Sequence, residues 1–137
     1  MKHTLAIIKP HAVRDNKTGA ILSKLIEAGF RIAALKMTKL TKLQTSEFYK
    51  EHEGKYFYEP LVDMMSSGPV VLVILEKENA VSDLRTLVGN TDPEKAAPET
   101  LRKIFGISMR ENAVHASDGD QKAAIECGYF FSQIERF

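Results

Sequence analysis

At 137 residues, 44% hydrophobic and 27% charged, the chain has the size and composition of one soluble globular domain spanning 1–137, able to bury roughly two thirds of its unfolded surface without staples. A net charge of +1 sets up no long-range field of one sign, which argues against a broad nucleic-acid interface and leaves room for a local basic pocket. The single cysteine, Cys127, excludes an internal disulfide framework; with no signal-like apolar core near residue 1 and no run long enough to span a bilayer, a cytosolic protein is expected.

In chain order, residues 3–9 read as a buried strand centred on Leu5, Ala6, Ile7 and Ile8, ended by Pro10, which cannot donate to a sheet ladder. Residues 16–28 read as a helix with Ile21, Leu22, Leu25 and Ile26 on one stripe and Gly29 as its stop. Residues 30–40 are strand-like. Thr41 with Gln44 forms a capping box that opens a helix to about His52. Pro60 suits the first turn of a short helix carrying Leu61, Met64 and Met65, terminated by Gly68-Pro69.

The β-branched and aliphatic run 70–75 is a strand. Asn79 caps the next helix, where Val81, Leu84 and Val88 face inward and Gly89 closes. A loop at 90–98 leads to a short helix starting at Pro98-Glu99. A strand at 112–116 and a helix at 118–127, stopped by Gly128, precede an aromatic tail suited to docking on the body. This order fits an α+β, ferredoxin-like split βαβ sandwich: a four-stranded antiparallel sheet covered by helices, with an inserted helical pair. A flavodoxin-like parallel sheet fits the same pattern, and the pattern alone does not choose between them.

The chemistry gathers on Asn112-Ala113-Val114-His115-Ala116-Ser117-Asp118. Ser117 with Asp120 reads as a helix-start signal, which places His115 at a strand end just before a helix. A lone histidine there is more often packing than chemistry. The cations shift that balance: Lys9 at the end of the first strand, Arg85, Arg102 and the intervening Thr91 form a plausible polyphosphate clamp, because guanidinium forks match phosphate oxygens. No G-x-x-x-x-G-K-[ST] loop and no G-x-G-x-x-G fingerprint occurs, which disfavours Walker and Rossmann sites. His3, His11, His52 and His115 form no H-x-x-x-H pair, so a protein-held zinc is disfavoured, whereas magnesium carried on substrate phosphates needs few protein ligands or none. Tyr49, Tyr56, Phe57 and Tyr58 read either as packing or as a stacking surface tolerant of base identity.

Taken together, the motifs resemble those of the nucleoside diphosphate kinases. Residues 112–118 match the family signature N-x-x-H-[GA]-S-D. Ile7-Ile8-Lys9-Pro10, Phe48-Tyr49 with Glu51-His52, Ser67-Gly68-Pro69-Val70, the stretch from Arg85 through Gly89 to Thr91-Asp92-Pro93, and Pro98-Glu99-Thr100-Leu101-Arg102 are similar to further family segments, in the same order along nearly the whole chain.

The resemblance implies transfer of the terminal phosphoryl group from a nucleoside triphosphate to a nucleoside diphosphate, by ping-pong kinetics through a phosphohistidine. It implies His115 as nucleophile, Glu126 on the other imidazole nitrogen and Ser117 beside it. Lys9, Tyr49, Arg85, Thr91 and Arg102 would hold the phosphates. Phe57 would stack on the base with Met109 on its other side, and Asn112 with Lys9 would bond the ribose 3′-hydroxyl. Magnesium would ride on the nucleotide, and the protein would be a homo-oligomer, a hexamer or tetramer built from dimers.

General chemistry agrees with such a site. An imidazole of ordinary pKa, about 6.5, is mostly neutral at pH 7, so the nucleophile needs no strong base. A loose phosphoryl-transfer transition state asks for positioning and positive charge rather than an acid–base pair. Three positions depart from the family pattern. His11 replaces the acid of K-P-D, Glu99 replaces the glycine of P-G-T, and Met109 replaces a smaller side chain. The first is expected to alter how Lys9 is oriented, the second to change a loop used in subunit contacts.

Overall fold

The computed structural model describes residues 2–137. Four strands, β1 (His3–Ile8), β2 (Arg31–Lys39), β3 (Pro69–Glu76) and β4 (Val114–Ala116), form one sheet in the order β2-β3-β1-β4. Every ladder is antiparallel, which decides for the ferredoxin-like plan and against a parallel flavodoxin-like sheet. The period of two sorts the strands' side chains onto two faces. Ala6, Ile8, Val71, Val73 and Leu75 meet Ile21, Leu25, Leu84, Val88 and Leu101 on one face. Leu5, Ile7, Val70, Leu72 and Ile74 meet Tyr49, Tyr58, Met65, Cys127 and Phe131 on the other. Both faces are covered, so β1 and β3 read as continuous apolar runs rather than alternating ones.

The helices are α1 (Pro10–Arg14), α2 (Thr18–Glu27), α3 (Lys42–Phe48), α4 (Tyr58–Met65), α5 (Ala80–Val88), α6 (Leu101–Phe105) and α7 (Asp120–Phe130). The inserted pair is α3 and α4, and its capping box is present: Thr41 Oγ1 accepts from Gln44 N–H while Gln44 Oε1 accepts from Thr41 N–H. Helix α3 ends at Phe48 and a 3-10 turn, Lys50–His52, completes the segment.

Other boundaries moved for physical reasons. Pro10 not only ends β1 but opens α1, an unforeseen helix, since proline lacks only a donor that the first helical turn leaves unused. Asn16 then adopts φ +60°, which breaks the expected helix at 16–28 and delays α2 to Thr18. Asn79 precedes α5 but caps nothing with its side chain, because its backbone is left-handed. Thr100, not Pro98-Glu99, opens α6, its side chain accepting from Lys103 N–H. Ala113 at φ +78° cannot join a ladder, which shortens β4 and puts His115 at its centre rather than its end. Helix α7 starts at Asp120 and runs through Gly128 to Phe130, with Gly119 rather than Ser117 before it. The tail docks as expected: Phe131 is buried and Phe137 N–H donates to Ala33 O, at the bulge in β2.

Candidate active site

Antiparallel pairing sets His115 opposite Ile7, so its ring points to the face covered by α3 and α7. Helix α7 brings Glu126 to it, with Nε2 2.8 Å from Glu126 Oε1. Ser117 Oγ donates to the same oxygen at 2.6 Å. Ser117 is therefore spent on the carboxylate, which is why it does not cap α7. An ionised carboxylate only accepts, so Nε2 carries the imidazole proton and Nδ1 keeps its lone pair. Phe48 and Tyr49 meet the ring edge-on, with centroids 5.3 and 6.1 Å away, and hold its plane.

Lys9 is buried at the junction of β1 and α1. Its Nζ donates to Asn112 Oδ1 at 2.7 Å and to Arg110 O at 3.3 Å. Burial first, and Arg102 second, lower its pKa from 10.5 to about 7. Asn112 spends its amide hydrogens on Thr91 O and Met109 O, both at 3.0 Å. It thus ties the loops before and after α6 to Lys9. His11, expected to alter how Lys9 is oriented, bonds the backbone of residue 113 instead of a side chain of the site. Its Nε2 accepts from Ala113 N–H at 2.9 Å, and the side chain is buried.

Arg102 on α6 donates through Nη1 to Gly89 O and through Nη2 to Val114 O, each at 3.0 Å, which couples the clamp loop to β4 beside His115. Its buried Nε has no partner among the described residues. Burial, together with Arg85, lowers its pKa from 12.5 to about 10, so it stays charged at neutral pH. Gly89 has φ +90°, and a Cβ there would lie 2.6 Å from Thr100 Cβ; the close approach requires glycine. Burial and the Glu126 carboxylate raise the Tyr49 phenol above its usual pKa, keeping it a neutral donor.

Most of these groups border one cavity of about 600 Å³. Lys9, Tyr49, Arg85, Thr91, Arg102, Asn112, His115 and Glu126 line it, and Phe57 and Met109 stand at its rim. Of the residues expected to form the site, only Ser117 lies behind the wall rather than on it. The sequence reading missed Phe48, whose ring supports His115; its only signal was its place in the Phe48-Tyr49 pair. Glu99 is exposed and outside the cavity. Among the described residues no group of three His, Cys, Asp or Glu side chains could hold a metal ion.

A braced imidazole on the floor of a nucleotide-sized cavity, ringed by Lys9 and the three arginines Arg85, Arg102 and Arg110 on a ferredoxin-like sheet, defines a phosphate-handling α+β domain. A family model described as nucleoside diphosphate kinase matches residues 2–136. A nucleoside diphosphate kinase of Chloroherpeton thalassium is 53% identical over 135 residues, 98% of this chain and 96% of that protein. One from Salinibacter ruber is 48% identical over 134 residues, 98% of this chain and 94% of that protein. Among solved structures, the Aquifex aeolicus nucleoside diphosphate kinase superposes with a TM-score of 0.96 at 42% identity, covering 99% of both chains. The Halobacterium salinarum enzyme, solved in complex with CDP, also gives 0.96 at 31% identity, over 99% of this chain and 91% of that one. The chain belongs to the nucleoside diphosphate kinase family.

Proposed function

We propose that His115 carries the phosphoryl group between a nucleoside triphosphate, mainly ATP, and a nucleoside diphosphate. The observation that carries the assignment is the Glu126 bond to Nε2, which reserves the Nδ1 lone pair for attack. Nδ1 forms a bond to the terminal phosphorus while the bond to the bridging oxygen breaks, and the diphosphate leaves with that electron pair. A second diphosphate then takes the group back by the reverse step. No proton has to move at the transition state, which matches a site rich in cations and lacking an acid–base pair.

Lys9, Tyr49, Arg85, Thr91 and Arg102 hold the phosphates. The unpartnered Nε of Arg102 supports its place among them. The ribose 3′-hydroxyl donates to the remaining lone pair of Asn112 Oδ1 and accepts from Lys9, and Phe57 and Met109 flank the base. Stacking without base-edge hydrogen bonds makes the site tolerant of base identity. Magnesium, bound to the nucleotide, neutralises phosphate charge, with the phosphates rather than a protein cluster holding it. The chain acts as a single domain in the cytoplasm, in a hexamer or tetramer built from dimers; exposed Leu35 and Met37 on edge strand β2 support assembly, and sedimentation distinguishes the two states.

Incubation with terminally labelled ATP tests the reading. It should give an acid-labile, base-stable phosphoenzyme that any unlabelled diphosphate discharges. His115→Ala should abolish labelling and cut turnover by on the order of 10⁴-fold or more. A His115→Ala protein that still labels and transfers would sink the mechanism.

A further inference from the structure

His11 stands where the family motif has an acid, and it is buried to 2% exposure with a backbone partner 102 residues away. That partner is the N–H of Ala113, a non-glycine residue held at φ +78°. The carbonyl of the same residue accepts from Lys9 N–H at 2.8 Å. Residue 113 is thus gripped on both sides by the segment 9–11. It lies between Asn112, which orients the Lys9 ammonium, and His115, two residues on. A left-handed alanine persists only where its surroundings hold it.

We propose that His11 is a positioning residue for the transfer site: as a neutral imidazole it clamps the Ala113 peptide, and protonating it releases the clamp. The chemistry is a matter of donor count. Ala113 N–H can only donate, so Nε2 must be the unprotonated nitrogen and Nδ1 the protonated one. In the imidazolium both nitrogens donate, and two donors then face each other across 2.9 Å. Asn112 and His115 lose their common support together. The inference rests on the kinase reading of the cavity and adds an acid limit to it.

The charges around His11 favour the neutral state on balance. Burial dominates and lowers its pKa, Lys9 and Arg14 act in the same direction, and Glu111 and Asp15 oppose them. A histidine with a folded pKa below its unfolded value contributes stability that is complete above about pH 6.5 and is lost as pH falls from there toward the folded value. The clamp therefore holds at neutral pH and fails in acid.

The test compares the whole protein with His11→Gln, whose side-chain oxygen reaches about as far as Nε2 and does not titrate, and with His11→Phe, which keeps a ring and deletes the acceptor. kcat/KM is followed from pH 5 to 8. The unaltered protein should lose rate in acid more steeply than protonation of His115 alone would cause. His11→Gln should cut the ratio of its pH 7 to pH 5 rates by about threefold or more relative to the unaltered protein. His11→Phe should lose on the order of tenfold at pH 7, recovered in His11→Gln. An acid limb identical in His11→Gln and the unaltered protein, or a fully active His11→Phe, overturns the proposal.

Nitrogen-15 spectra of the imidazoles give a readout independent of turnover. One ring, absent from His11→Gln, should be the Nδ1–H tautomer at pH 7; an Nε2–H tautomer for that ring also overturns the proposal. If the unaltered protein forms no phosphoenzyme at any pH, the kinase reading fails, and the tautomer still decides whether His11 clamps Ala113. A labelled protein with an unmoved acid limb defeats the role of His11 alone.

Discussion

The two ends of the cavity are built differently. At the floor, His115, Glu126, Ser117, Lys9 and Asn112 are buried or largely covered and hydrogen-bonded in two groups, Lys9 with Asn112 and Glu126 with His115 and Ser117. Some of these contacts join distant parts of the chain, as Lys9 with Asn112, and others near ones, as His115 with Glu126. At the rim, Arg85, Thr91 and Met109 are exposed and Phe57 is half-buried, its ring against those of His52 and Tyr56. The floor has to place a nucleophile and a charge before the substrate arrives, because in phosphoryl transfer positioning is most of the catalysis. The rim has to accept different bases, and an aromatic face does this best when nothing commits it to one hydrogen-bond pattern.

Breaking the floor should cost most. In Glu126→Gln the amide can donate to Nε2, which moves the imidazole proton to Nδ1 and removes the attacking lone pair. Phosphoenzyme formation, followed by rapid quenching, should slow by about 10³- to 10⁴-fold with little change in nucleotide affinity. A loss under about tenfold would mean that the carboxylate does not set the tautomer.

At the rim, Phe57→Ala should weaken nucleotide binding by about 1–3 kcal/mol, by roughly the same factor for adenine, guanine, cytosine and uracil diphosphates. Competition binding across the four would show it. A penalty confined to one base would indicate hydrogen-bond readout and blur the contrast between the two ends.

A pH titration sharpens the floor further. With its pKa lowered to about 7, Lys9 is about half charged in the nucleotide-free protein at pH 7. Phosphate beside it favours the ammonium, so binding at pH 8 should take up a proton and affinity should fall by up to about tenfold per pH unit above 7. Calorimetry in buffers of different ionisation enthalpy measures the uptake. By the same linkage the empty protein gains stability as pH rises from 7 toward 10.5, because a buried cation is lost from the folded state. No proton uptake would show that Lys9 is already fully charged in the empty protein.

Much of this was legible in the chain. The β1 and β3 runs and the Thr41–Gln44 capping box are local signals, and each survives in the structure, whereas the grouping of Lys9 with His115 rested on the family resemblance. The misreadings share a cause. Ser117 has the sequence signature of a cap, but its hydroxyl is taken by Glu126 on the next helix. Asn79 has the chemistry of a cap but the backbone of a left-handed turn. His11 was read only as a neighbour of Lys9, and its bond to a peptide from the other end of the chain had no signal in the sequence.

The sequence by itself determined where the apolar runs lie and which residues carry charge, because these follow from side-chain type and short-range period; the candidate nucleophile and its cations came from the family resemblance. Only the tertiary structure decided that the sheet is antiparallel, that Glu126 meets Nε2 and leaves Nδ1 for attack, and that segment 9–11 grips Ala113. Ladder direction and buried hydrogen bonds depend on which distant groups meet once water is excluded, and no local pattern carries that information.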